Sequence, residues 1–455
     1  MKTYQDLQKN TDRLLDFTRE VISDHVTSTE YKEAEIADEY NRRRNRTIVQ
    51  YQKLLYTMSG QAVPDNYSAN YKLCSNFFNR FVTQENQYLL GNGCTWEKKD
   101  TADKLGDDFD EQLQEAGEKA LVCAVSFGFW NLDHLDVFSL LEFAPLWDEE
   151  DGALKAGVRF WQIAPEKPLR ATLYELDGYT DYIWNKNKDG EEEGTILHEK
   201  RKYIIKEKGT EADGMEIYDG ENYPTFPIVP LWANKYKQSE FVGMRENIDA
   251  YDLVKSGFAN DLDDASQIYW LVQNAGGMDD VDLAKFLERL KTVKAAVVDG
   301  DNGARAESHT VDVPYLAREA LLQRLRNDMY EDSMALDTKN LASGAVTATQ
   351  IKASYEDFSK KVDRYEYCVL KFVDGILALA GIEDNVTFTR SMIVNDNETI
   401  TILLQCAEYL PQDYVTTKIV TLLGDGDQTD EILKQKDEEN QEKMALAMQM
   451  QGMGE

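Results

Sequence analysis

The 455-residue chain reads as α+β: mainly α-helical, with one β-rich region and a small α/β insert between two long helices. Three observations carry that reading. Nine apolar or aromatic residues, Ile351, Tyr355, Phe358, Val362, Tyr365, Val369, Phe372, Ile376 and Leu379, alternate in steps of four and three without a miss. A seven-residue repeat held for about four heptads suits one long helix, about 45 Å at ~1.5 Å per residue. Residues 134–230 switch to short apolar runs separated by turn residues, as strands do. Between helix-period segments at about 239–264 and 313–337 lies a stretch with strand and turn signals.

From the N-terminus, residues 1–60 read as helices. The segment Glu33 to Tyr56 is strongly charged, with Ile36, Tyr40, Ile48, Tyr51 and Leu55 as anchors and Gly60 as its end. Within it, Asn41-Arg42-Arg43-Arg44-Asn45-Arg46 is the one basic cluster. It reads either as a solvated face pairing with Glu35, Asp38 and Glu39, or as a contact for phosphate or an acidic partner. After a polar loop with Pro64 and Asn66, a helix from about Ser75 turns Phe77, Phe78, Phe81, Val82 and Leu89 inward and stops at Gly91. Another helix covers about 107–126. In the β-rich region, Val137–Leu141 and Val158–Ile163 flank the acidic turn Asp148–Gly152 as a hairpin. Tyr179–Asn185, Tyr203–Glu207 and Met215–Tyr218 continue the pattern, and Pro224, Pro227 and Pro230 end it.

The helix at about Ser239–Asp264 carries Met244, Ile248, Tyr251, Val254, Phe258 and Leu262 on its apolar side. The insert reads as strand Ile268–Gln273, a Gly276-Gly277 turn, helix Val281–Thr292, strand Ala295–Val298 and strand Ser308–Val313. The returning helix places Leu321, Leu325 and Met329 with Leu322, Tyr330 and Met334 on its apolar face. Small residues around Gly344 make a tight loop, and Thr347 with Gln350 has capping-box spacing at the start of the heptad helix. Val386–Val394 reads as a strand. Residues 398–455 read as short helices and an acidic, then Gln/Met-rich tail. No internal repeat is visible.

Composition narrows the function classes. With 83 acidic against 50 basic residues the formal net charge is −33, the wrong sign for a protein that grips DNA by neutralising phosphates. The same charge does not oppose DNA moving past the protein. A hydrophobic content of 42% with 11% aromatics is too high for disorder. The start, Met1-Lys2-Thr3-Tyr4-Gln5-Asp6, has no apolar run, so no secretory signal is expected; no stretch approaches the roughly 18 apolar residues of a membrane span. Cys74, Cys94, Cys123, Cys368 and Cys406 are scattered and odd in number, as expected of reduced thiols in a cytosolic folding environment.

Enzyme signatures are thin. His25, His134, His198 and His309 are far apart, and there is no phosphate loop or nucleophile elbow. Asp261-Leu262-Asp263-Asp264 and Asp279-Asp280-Val281-Asp282 could suggest Mg²⁺ or Ca²⁺, but among 83 carboxylates such clusters arise by chance and read as solvated faces. No catalytic residue, metal site or cofactor is expected.

Three segments carry a family resemblance. They are Asn76-Phe77-Phe78-Asn79-Arg80-Phe81-Val82 running to Tyr88-Leu89-Leu90-Gly91; Ile228-Val229-Pro230-Leu231 with Asn234, then Ile248-Asp249-Ala250-Tyr251 and Ser256; and Ala342-Ser343-Gly344-Ala345-Val346. With the order helix, small α/β insert, returning helix, small-residue loop and long helix, the stretch 75–395 resembles the portal proteins (head-tail connectors) of tailed bacteriophages, of the Gram-positive-phage type. One departure is Thr347-Ala348-Thr349, where the family's loop is often followed by an Ala-Leu-Lys type start.

The resemblance implies a portal fold: a wing over 1–238, a first stem helix over 239–264, a clip over 265–312 and a second stem helix over 313–338. It further implies a tunnel loop over 339–346, a long wing helix and strand over 347–397, and a crown with C-terminal tail over 398–455. It implies a homo-oligomeric ring of typically about twelve subunits, closed by head-to-tail contacts. Such a ring sits at one capsid vertex of the virion, after assembly in the host cytoplasm. It passes double-stranded DNA non-specifically, docks the terminase and later the head-tail adaptor, and meets the major capsid and scaffold proteins. Lys339, Asn340, Leu341, Ala342, Ser343, Gly344, Ala345 and Val346 would line the channel. Asp279, Asp280, Asp282, Lys285, Glu288 and Arg289 on the clip would meet terminase and adaptor. The alternatives are a helical scaffold or coiled-coil protein of the virion, and a hydrolase or nuclease built on the Asp clusters.

Overall fold

The computed structural model describes residues 2–56, 59–66, 68–186, 192–210, 216–265, 269–273, 305–309, 314–339, 348–391, 396–422, 429 and 431–436. Thr3 and Asp6 form a capping box that starts α1 (Tyr4–Lys9), followed by α2 (Leu14–Thr27). Ser28 ends α2 and starts α3 (Thr29–Asn41) by accepting the Tyr31 N–H at 3.1 Å. The helix expected to run to Tyr56 stops at Asn41, because Arg43 adopts a left-handed backbone with φ +60°. Beyond it come α4 (Arg46–Gln50) and an exposed hairpin, β1 (Leu54–Tyr56) with β2 (Ala62–Pro64).

As expected, α5 (Phe77–Leu90) stops at Gly91, with Phe78, Phe81, Val82 and Leu89 buried. β3 (Cys94–Trp96), α6 (Thr101–Leu105) and α7 (Phe109–Cys123) lead to Ala124, whose φ of +71° turns the chain into the β-rich region. There β4 (Val125–Asn131), β5 (His134–Ser139), β6 (Phe143–Trp147), β7 (Leu154–Trp161), β8 (Leu169–Glu175), β9 (Gly178–Lys186), β10 (Glu192–Arg201), β11 (Ile204–Thr210), β12 (Glu216–Glu221) and β13 (Ile228–Trp232) follow one another. They divide among a five-stranded antiparallel sheet ordered β10-β9-β8-β7-β6, a ribbon of β11 with β12, and a three-stranded sheet ordered β13-β4-β5.

Two sequence expectations fail here. The hairpin across the acidic turn is β6 with β7, whereas the Val137–Leu141 run pairs through β5 with β4 in the other sheet. Period-two alternation identifies a strand but not its partner, and the partner strand Val125–Asn131 falls mostly between the helix read over about 107–126 and the strand region read from 134. Pro230 does not end the region but sits inside β13, opposite Phe127. β13 is an edge strand, where a missing N–H costs no ladder bond.

The chain divides into two units, Met1–Ala335 with Lys361–Thr389, and Leu336–Lys360 with Arg390–Glu455. In the first, α1 and α2 pack Leu7, Phe17, Val21 and Ile22 onto Leu146, Val158, Phe160, Leu173, Tyr182 and Trp184 of the five-stranded sheet. Then come α8 (Arg245–Ala265), β14 (Tyr269–Gln273), β15 (Arg305–His309) and α9 (Tyr315–Asp332). α8 starts six residues later than expected, since residues 239–244 form turns and Gly243 has φ +83°. α9 runs from its cap at Pro314 to Ser333, just before Met334 at φ +52°, inside the expected 313–338. The long helix is α10 (Ala348–Ala380), which begins in the second unit and continues into the first. Thr347, the proposed cap, lies outside the described residues. β16 (Val386–Phe388) pairs with β3 and is shorter than the expected Val386–Val394, of which 392–394 lie outside the described residues. α11 (Asp396–Gln405) and α12 (Gln412–Leu422) belong to the second unit.

Eight of the nine heptad positions behave as read, and the side chain of Ile351 lies outside the described residues. Tyr355, Phe358, Val362, Tyr365, Val369, Phe372, Ile376 and Leu379 are all buried. Within the first unit α10 lies directly on the three-stranded sheet. A Cβ on Gly128 of β4 would fall 2.4 Å from the Phe372 ring, and one on Gly375 2.8 Å from a Val229 methyl carbon of β13. This repeat therefore serves an intramolecular core and not a coiled-coil seam.

Candidate functional site

α8 and α9 lie side by side and antiparallel. Near one end Asn247 donates to Asp332 (3.3 Å), and near the other Arg318 pairs with Asp261, its guanidinium 5.9 Å over the Phe258 ring. β14 leaves α8 and β15 leads into α9, pairing from Tyr269 opposite His309 to Gln273 opposite Arg305.

The opposite face of α8 is polar and buried. Asp252, Ser256 and Asn260, spaced by four, are 0, 2 and 3% exposed, about half a turn round from the face that meets α9. An extended segment covers them. The backbone N–H groups of Tyr71, Leu73 and Ser75 donate to Asn260 Oδ1 (2.7 Å), Ser256 Oγ (3.0 Å) and Asp252 Oδ1 (2.9 Å). The fit is metric: two extended residues advance about 6.6 Å and four helical ones about 6 Å, so alternate amides meet successive side chains. The Asn45 amide also donates to Asp252 Oδ2, while Tyr40 and Thr47 donate to Asp249. Burial raises the Asp252 pKa, against the hydrogen bonds from Asn45 and Ser75.

A second polar group, built on the buried Glu85 and Asn86, meets α10 in the first unit. Lys361 Nζ lies 2.7 Å from Glu85 Oε2 of α5 and 2.8 Å from Glu240 Oε2 in the turn before α8. One turn on, the Tyr365 hydroxyl donates to Asn86 Oδ1 at 3.1 Å. Burial drives the Glu85 pKa up to about 7; Lys361 pulls it down and Glu240 adds to the rise. Burial works to lower the Lys361 pKa, but the two carboxylates outweigh it and hold the ammonium form above its ordinary range.

Of the residues marked in the sequence for channel and docking, Lys339 is described: it is exposed, with its backbone N–H on Asp337 Oδ1 at 3.1 Å. Asn340, Leu341, Ala342, Ser343, Gly344, Ala345 and Val346 lie outside the described residues. So do Asp279, Asp280, Asp282, Lys285, Glu288 and Arg289. The basic cluster follows the solvated-face reading, with Arg42 on Asp38 (2.8 Å) and Arg46 on Glu35 (3.0 Å) and Glu39 (2.7 Å). Among the described residues no three His, Cys, Asp or Glu side chains are grouped to hold a metal, and no helix is long and apolar enough to cross a membrane. Sequence reasoning missed both buried polar groups. The stripe 252, 256, 260 has a visible signal, polar residues at helical spacing beside the apolar Ile248; the signal for Lys361 is weaker, its place at the edge of the heptad stripe between Phe358 and Tyr365, which says nothing of its partners.

An antiparallel helix pair, the β14–β15 ribbon between its members in sequence and the long helix after them keep the element order in which the sequence resembles phage portal proteins. A family model described as phage portal protein, SPP1 Gp6-like, matches residues 21–442, and the chain belongs to that family. It is 31% identical to the portal protein of Clostridium phage phiCD119 over 209 residues, 44% of this chain and 45% of that one. It is 23% identical to the portal protein of Bacillus phage SPP1 over 397 residues, 79% of this chain and 74% of that one. The match thus spans less than half the length of the first relative and about three quarters of the second. A solved neck of a native GTA particle, computed with C12 symmetry, aligns at a TM-score of 0.41 and 10% identity, covering 75% of this chain and 89% of that one.

Proposed function

We propose that the chain is the portal subunit of a tailed phage. Copies close head to tail into a ring, of about twelve as is typical, at one capsid vertex, and double-stranded DNA passes through its channel in packaging and ejection. The observation that carries this reading is the family match over residues 21–442. The antiparallel α8–α9 pair supports it as the stem and α10 as the long wing helix, and residues 265–312 would form the clip. Lys339 to Val346 would form the tunnel loop, and residues 1–238 the wing. The role is mechanical: ATP hydrolysis is assigned to the terminase, which docks on the clip and later gives way to the head-tail adaptor. A net charge of −33 suits a conduit, because each phosphate neutralised by Lys or Arg would add adhesion and slow the passage of DNA. The burial of the heptad residues inside one chain speaks against the coiled-coil scaffold.

Negative-stain microscopy of the purified protein tests the reading. Rings with a central hole are expected, and rods or small compact particles would overturn it. A second expectation concerns the clip. Reversing Lys285 and Arg289 to Glu should impair packaging in an in vitro assay while rings still assemble, since the charged helix steers a partner. Loss of assembly would put that helix in a subunit interface instead.

A further inference from the structure

The hairpin β1–β2 and the segment that continues it along α8 form an unusual surface. Both strands are exposed on both faces, and Leu54, Leu55, Tyr56 and Val63 are large apolar side chains left in water, with Tyr56 72% exposed. A two-stranded hairpin whose strand residues are all exposed is marginal in water, so this one calls for a cover. The segment 51–75 is also nearly free of charge. In a chain with 83 acids it holds one aspartate against two lysines, the composition of an interface centre and of opposite sign to the whole.

A second exposed apolar strip lies on α9, where Tyr315 and Leu316 are 57% and 68% exposed. The two surfaces are related through α8. Tyr71 is bonded to Asn260, Arg318 is bonded to Asp261, and Lys72 reaches back to the Val49 carbonyl just before the hairpin. The hairpin and the start of α9 therefore stand at the same level of the helix pair, on opposite sides of α8. At that level the end of α8 and the start of α9 carry Asp261, Asp263 and Glu319 against Arg318, so the charge there complements the lysines of the 51–75 segment. Two different apolar surfaces at one level on opposite flanks are what a head-to-tail contact needs, and a symmetric dimer would use only one of them.

We propose that the β1–β2 hairpin of one copy packs on the Tyr315–Leu316 strip of the next, so that each subunit lends a strap to its neighbour's helix pair. The proposal rests on the ring reading and names the contact that closes the ring.

A charge-swap experiment on the full chain tests it, with mass by light scattering and rings by microscopy. Leu55→Glu and Leu316→Arg should each raise at least tenfold the protein concentration at which rings form, and the double variant should recover most of that loss. Both side chains are exposed in one copy, so thermal unfolding of the monomer should match wild type; an unfolded single variant would show an intramolecular role and overturn the proposal. Wild-type-like assembly of both single variants would overturn it while leaving the ring reading intact, and disruption without recovery would place the hairpin against another surface. A wild-type chain that stays monomeric would remove both readings.

Discussion

Replacing Lys361 by methionine should cost about 3–5 kcal/mol of stability at neutral pH, because it strips the lone cation from two carboxylates, one of them fully buried. The comparison variant is Glu85→Gln, which removes one negative charge, leaves Lys361 its partner Glu240, and should cost only about 1 kcal/mol. The sign of the pH dependence separates the two. Glu85 has a folded-state pKa near 7 against an ordinary 4.5, so between those values the folded chain binds more protons than the unfolded one. Stability from this group is therefore greatest on the acid side and falls as pH rises through that window, by up to about 1.4 kcal/mol per unit. Denaturant midpoints measured at pH 5 and pH 7 should show the Lys361→Met loss shrinking at pH 5, where protonation has removed a buried charge. Glu85→Gln should lack the slope. A Lys361→Met variant as stable as wild type at pH 7 would mean that this triad contributes nothing to anchoring α10.

Asp252→Ala should cost about 3 kcal/mol, since it leaves the Ser75 N–H buried without an acceptor and the Asn45 amide with only the Ser75 carbonyl for its two N–H groups. Ser256→Ala frees one donor and should cost about 1 kcal/mol. The effect should also be local: amide hydrogen exchange at Leu73 and Ser75 should speed up well before that of the α5 core. Uniform exchange across both segments would show that residues 71–75 are not held by the side chains of α8. Because burial raises the Asp252 pKa, this carboxyl too makes stability fall as pH climbs from the ordinary aspartate range.

What the chain alone made legible was local. The long helix was readable because its seven-residue repeat has a period that no strand can use, and its buried positions match that repeat from Tyr355 to Leu379. The stop of α5 at Gly91 and the helix–insert–helix order were readable from glycine and from period. The family resemblance, resting on order and three short segments, agrees with the match over residues 21–442. Strand partners were not legible. Val137–Leu141 and Phe143–Trp147 are both apolar and adjacent, and which of them crosses the acidic turn depends on where α7 ends, at Ala124.

The candidate site was legible as a region and not as contacts. Lys360 and Lys361 are identical neighbours in sequence, yet Lys360 is exposed beside Glu356 while Lys361 is largely covered between Glu240 and the buried Glu85. Helical spacing puts Lys361 beside the apolar stripe, three residues after Phe358 and four before Tyr365, and Lys360 on the polar side; the carboxylates that Lys361 meets come from 276 and 121 positions away, and only packing brings them in. Likewise Asp252, Ser256 and Asn260 read as the wet side of an amphipathic helix until residues 71–75 are laid along them. Periodicity in the sequence determined which elements exist, because it reflects each element's own geometry. Tertiary structure decided which polar groups are buried, because desolvation is set by neighbours far away in the chain.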